Sequence, residues 1–188
     1  MNKNQSDNPT TARTTVECIA RWRICLHEAG HAVAAHQLIN QKVTAVVFDC
    51  NYGVAYQDVG KDHIDTTEDA LVVAAGKAAM TLSSAYPPPH FAPTTLLEFA
   101  YPEVASVLLG DIKATAVSDA VKLAQWAIRH VEDRPNRWAR NYYRLMDQAE
   151  SFIQDHQLEI VEVATGLFAR GIITLPAAPA KEGKTNAD

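Results

Sequence analysis

Cys25-Leu26-His27-Glu28-Ala29-Gly30-His31-Ala32-Val33-Ala34-Ala35 lies inside a longer run, Val16 to Asn40, that contains no proline. Apolar residues recur through that run at Ala20, Ile24, Ala34, Leu38 and neighbouring positions, the spacing of one long helix. Residues four apart on a helix lie about 40° from each other around its axis, so the imidazoles of His27 and His31 can reach one metal ion. Glu28 stands between them in sequence and can turn its carboxylate toward a metal-bound water. Gly30 costs ~1 kcal/mol in a helix relative to alanine. Close packing over the metal is the expected reason for it. The alternative is an amphipathic helix whose two histidines bind nothing.

Two histidines are too few, because a catalytic zinc site has three protein ligands and an open position for water. The sixth residue after His31 is Gln37, so the metzincin extension is absent. His36 lies about 140° further round the helix than His31 and is expected to be structural or exposed. The best remaining candidate is Asp119. It shares a spacing of i, i+4 and i+7 with Leu123 and Trp126, and so heads an apolar stripe that faces the interior. A buried carboxylate needs a partner, and a metal would supply one. The alternative is that Ser118 or Asp119 caps the helix.

Outward from the first helix, Lys42 to Asp49 and Val54 to Val59 flank a turn-like Asn51-Tyr52-Gly53 and read as a β-hairpin. Asp65 is placed to cap a helix from Thr66 to Ser83, with Glu68 completing the box. Prolines 87, 88, 89, 93 and 102 mark a proline-rich insertion over residues 85–102, which reads as a cover for the cleft or as a surface excursion, with room for a short helix at Thr94 to Ala100. Helical periodicity returns from Thr115 to Glu132 and again from Asn136 to Arg170, with a bend near Asp155 and Gly171 as terminator. The expected organisation is a disordered arm at 1–15, a single domain at 16–175 and a flexible tail at 176–188. The fold class is mainly α with one small antiparallel β-sheet (α+β).

Composition narrows the function. Of 188 residues, 47% are hydrophobic and 21% charged, enough apolar surface for a real core. A net charge of −5 argues against a binder of phosphate backbones, so no nucleic acid is expected. The run Ala70 to Gly76 is the most apolar and far too short to span a bilayer, so no membrane partner is expected. Three cysteines, Cys18, Cys25 and Cys50, form no C-x-x-C pair, so neither a disulfide framework nor a thiolate zinc cluster is indicated and a cytoplasmic location is expected. Arg129, Arg134, Arg137, Arg140 and Arg144 interleave with Trp138, Tyr142 and Tyr143, which reads as a solvated face or as a dock for an acidic protein partner.

The stretch Cys25 to Ala35, followed by Lys42-Val43-Thr44-Ala45-Val46 and Gly53-Val54-Ala55-Tyr56, resembles the protease domain of the FtsH-type ATP-dependent zinc proteases. Ala75-Gly76-Lys77-Ala78-Ala79 is similar to that family's Ala-Gly-Arg-Ala-Ala helix. Ser118-Asp119, with Ala124 after it, resembles its Ser-Asn-Asp segment, and Ala149 to Leu175 resembles its closing helices. The resemblance implies a zincin-like fold, zinc as cofactor, and Asp119 as the third ligand beside His27 and His31. The chain shows neither the ATPase nor the membrane anchor of that family, so unfolding of substrates would need a separate ATPase partner. Met80 and Thr81 stand where the family has acidic residues, which in metal sites orient the histidines.

The function expected is that of a soluble, ATP-independent zinc metallopeptidase. Zinc at His27, His31 and Asp119 lowers the pKa of its water toward ~7, and Glu28 accepts the proton as catalytic base. An extended peptide or unfolded protein substrate lies along the strand edge at Gly53, Val54, Ala55 and Tyr56. The rivals are a zinc-stabilised peptide- or protein-binding module without catalysis and a regulator-cleaving protease of the ImmA/IrrE kind.

Overall fold

A computed structural model of the chain describes residues 9–47, 53–57, 66–89, 119–129 and 137–177. Its elements are α1 (Pro9–Ile39), β1 (Val43–Val47), β2 (Gly53–Gln57), α2 (Thr67–Ala79), α3 (Asp119–Arg129), α4 (Trp138–Asp155), α5 (Gln157–Arg170) and β3 (Ile172–Leu175), with a 3-10 turn at Met80–Ser84. The architecture is mainly helical with one small antiparallel sheet.

Helix α1 is the spine. Trp22, Cys25, Leu26, Ala29, Ala32 and Val33 repeat at three- and four-residue spacing and are all buried in the core. The helix begins at Pro9, so the expected arm at 1–15 is helical over its second half. A first-turn proline explains the earlier start: its fixed φ suits the helix, and the N–H it lacks would have had no partner there. At the other end Asn40 adopts φ 49, the left-handed turn that asparagine tolerates, and releases the chain into β1.

The sheet has the order β2-β1-β3, both pairings antiparallel. Val43, Ala45 and Val47 of β1 point into the core, where β1 packs on α1. On the opposite face the hydroxyls of the register pair Thr44 and Thr174 meet at 3.1 Å. The antiparallel strand pair expected from sequence is present as β1 and β2, while residues 48–52, with most of the expected turn, lie outside the described residues. The third strand, β3, was not expected. Gly171, with φ 76, ends α5 and returns the chain antiparallel to β1.

Helix α2 is capped by Thr66, not by Asp65. The Thr66 hydroxyl accepts from the Asp69 N–H (3.0 Å), and Asp69 Oδ2 accepts from the Thr66 N–H (3.1 Å). The two possible boxes are one residue apart, and spacing alone does not separate them. The alanines of α2 (Ala70, Ala74, Ala75, Ala78 and Ala79) are buried, which brings α2 close against α1. A Cβ on Gly30 would stand 2.6 Å from the Ala75 carbonyl oxygen and 2.7 Å from Ala79 Cβ. Gly30 is therefore required by the helix crossing and not, as expected, by packing over a metal.

Leu145, Ala149 and Ile153 form the buried stripe of α4, and Ile160, Val163, Ala164, Leu167 and Phe168 that of α5. The expected bend falls at His156, between the two helices. Arg21 is buried at 1% exposure, and its Nη2 donates to the Phe168 carbonyl in the last turn of α5 (3.4 Å), where the helix dipole favours a cation. No helix among the described residues is long and apolar enough to cross a membrane. The expected short helix at Thr94 to Ala100, most of the 85–102 insertion and residues 178–188 of the tail lie outside the described residues.

Candidate metal centre

His27 and His31 occupy successive turns of α1, their ring centroids 4.5 Å apart and their planes nearly perpendicular at 87°. Asp119, the first residue of α3, reaches them from more than eighty positions away in the chain. Its Oδ2 lies 3.1 Å from His27 Nε2 and 3.1 Å from His31 Nε2, and the two Nε2 atoms are 3.0 Å apart. Among the described residues this is the one group of three or more His, Cys, Asp and Glu side chains whose donor atoms gather in this way. The stripe expected from sequence holds for the rest of α3, since Leu123 and Trp126 are buried.

The donor set was tested for its fit to a metal in two ways. Tetrahedral zinc with bonds of about 2.0–2.1 Å separates its donor atoms by about 3.3 Å, close to the triangle seen here. Proton bookkeeping gives the second test. His31 Nδ1 lies 2.8 Å from the Val72 carbonyl oxygen, which can only accept, so the hydrogen is on Nδ1. In its neutral form the ring then turns the lone pair of Nε2 toward a carboxylate oxygen 3.1 Å away. Lone pairs facing each other at that distance need a proton or a cation between them. Both tests fit a divalent cation with nitrogen and oxygen ligands.

Electrostatics separate the two carboxylates. Glu28 is only 4% exposed, and burial pushes its carboxyl up to about 8; the nearby charge of His27 opposes this rise and that of Asp119 adds to it. For Asp119 burial also acts upward, but hydrogen bonds from His27 and His31, with their charges, outweigh it and hold this carboxyl well below the usual carboxylate range. Asp119 is thus the ionised member of the pair. Glu28 has the basicity to hold and release a proton near neutral pH.

The remaining expected site residues, Gly53, Val54, Ala55 and Tyr56, make up most of β2. They pair with Val47, Val46, Ala45 and Thr44 of β1 in turn, and the sheet order leaves β2 at an edge that also lies against α1. His36 lies outside the donor group, as expected. His63, His90 and His130 lie outside the described residues. Thr81, at one of the positions where an acid was missed, gives its hydroxyl hydrogen to the Ala78 carbonyl (2.7 Å).

Two contributors escaped the sequence reading. One is the Val72 carbonyl, a backbone atom that no residue type advertises. The other is Gly76, where a Cβ would stand 2.3 Å from His31 Nε2. A glycine within an alanine-rich helix was the available signal. No family model, curated protein or solved structure matches the chain.

Proposed function

We propose that this chain is a zinc metallopeptidase, zincin-like in its His27-Glu28-x-x-His31 helix and related in kind to the FtsH-type protease domain. The observation that carries the reading is the meeting of His27 Nε2, His31 Nε2 and Asp119 Oδ2 within 3.1 Å, beside a buried Glu28. These three residues would hold the ion. When bound, Zn²⁺ supplies Lewis acidity and lowers the pKa of a water in its open position toward ~7. Glu28, buried next to the ligands, takes the proton of the attacking water and passes it to the leaving amine. Asp119 stays ionised and contributes negative charge to the ligand set. The edge of β2 receives an extended peptide by backbone pairing, which favours an unfolded segment over a folded one. No step draws on ATP.

A zinc-stabilised binding module is the second reading. It is favoured by His27 Nδ1, a buried atom without a hydrogen-bond partner among the described residues, which leaves one ligand without the partner that commonly orients a metal-bound histidine. The Glu28→Gln variant separates the two. The peptidase reading predicts one zinc per chain in both proteins, with hydrolysis of an unfolded protein substrate reduced roughly 10²–10⁴-fold in the variant. Zinc in both with no hydrolysis by either would favour the module.

A further inference from the structure

We infer that Val72 and Gly76 of α2 are positioning residues for His31. The Val72 carbonyl holds the imidazole as its Nδ1–H tautomer, and the missing side chain at Gly76 is the space in which the ring stands. The inference rests on the reading of His27, His31 and Asp119 as a metal site, and it deepens that reading.

The argument begins with helix geometry. Side chains on a helix tilt toward its N-terminus, so a side chain at residue 76 would lie over the turn that ends at residue 72. A glycine there leaves the flank of the Val72 carbonyl open to a donor from outside the helix. His31 Nδ1 takes that place at 2.8 Å. The same ring fills the space of the absent Cβ: a Cβ on Gly76 would lie 2.3 Å from Nε2, 2.4 Å from Cε1 and 2.8 Å from Cδ2. Any other residue at 76 would therefore have to displace the ring, whose Nε2 now lies 3.1 Å from Asp119 Oδ2.

Gly30, the other glycine of the crossing, supplies the contrast. Its absent Cβ would meet the Ala75 backbone and Ala79 Cβ, not a ligand. Gly30 thus sets the distance between the helices, whereas Gly76 sets the ligand. His27 Nδ1 has no partner among the described residues, so His31 is the ligand held in advance. A backbone carbonyl here does the orienting that acidic side chains do in other metal sites.

The test uses the full chain, metal-free and labelled at histidine with ¹⁵N. At about pH 8 long-range ¹H–¹⁵N spectra should show a proton on His31 Nδ1, with a slowly exchanging Hδ1. In Gly76→Ala that signature should disappear and affinity for Zn²⁺ should fall about 10–100-fold, while the midpoint of thermal unfolding of the metal-free protein stays within a few degrees. A wild-type His31 without a proton on Nδ1, or a Gly76→Ala protein that binds Zn²⁺ as tightly as wild type, would overturn the inference. If the variant does not fold, the wild-type tautomer alone decides. A wild-type chain that shows the Nδ1–H signature but binds no Zn²⁺ would refute the metal site and leave the orientation of the ring standing.

Discussion

Two carboxylates that both feel His27 carry opposite tendencies, and the cause is what each can pair with. Asp119 meets both Nε2 atoms, whereas Glu28 is buried with burial as the dominant influence on it. This has a consequence for stability. Because the folded pKa of Glu28 is raised from 4.5 to about 8, the folded state keeps a proton that the unfolded chain has lost. The metal-free protein should therefore lose stability as pH rises from about 4.5 toward 8, by roughly 3 kcal/mol at pH 7 from this group. Asp119 has the opposite sign: its lowered pKa stabilises the fold above the ordinary carboxylate range, and that contribution is lost only in acid. Urea unfolding at about pH 5 and pH 7.5 should show the loss in metal-free wild type and a much flatter response in Glu28→Gln; parallel slopes in the two proteins would contradict it. At this scale the meeting of His27, His31 and Asp119 was legible because their residue types and spacings are chemically specific. The Val72 carbonyl was not, since every residue has one and only the crossing of α1 with α2 selects it.

At the scale of elements, the crossing of α1 and α2 decides where His31 stands. Small residues on both sides, Gly30 against Ala75 and Ala79, allow a backbone-to-side-chain approach that no larger residue permits. Gly30→Ala gains about 1 kcal/mol in helix propensity but must displace the Ala75 backbone, and overpacking of this kind costs about 1–3 kcal/mol. The net expectation is a protein less stable by up to about 2 kcal/mol in denaturant unfolding, and a variant more stable than wild type would show that the crossing is looser than described. The sequence disclosed α1, the hairpin, the bend at His156 and the Gly171 terminator through periodicity and turn chemistry. It did not disclose β3. Ile172-Ile173-Thr174-Leu175 is a short β-branched run, and it becomes a strand by pairing with the distant β1, a partner that local patterning cannot identify. The start of α2 was displaced by one residue because two acceptable caps adjoin.

Across the whole molecule, the donor triangle joins two elements that are far apart in the chain. Helix α1 carries His27 and His31 and packs on α2, α5 and the sheet, while α3 brings Asp119 and packs on α2 and α4. An ion bound by all three would fasten α3 to the spine, adding to the folded state the free energy of its binding. That arrangement was foreseeable only as a convergence of motifs; the distances between them depend on packing that the sequence does not print. The most direct test of the account is a Zn²⁺ titration of the metal-free chain beside its Asp119→Ala variant, followed by calorimetry and metal analysis. Wild type should bind one ion per chain, and the variant should bind it at least 100-fold more weakly, since loss of a ligand exceeds the loss of an outer partner. Failure of wild type to bind, or equal affinity in the two proteins, would contradict the claim that His27, His31 and Asp119 form a metal site.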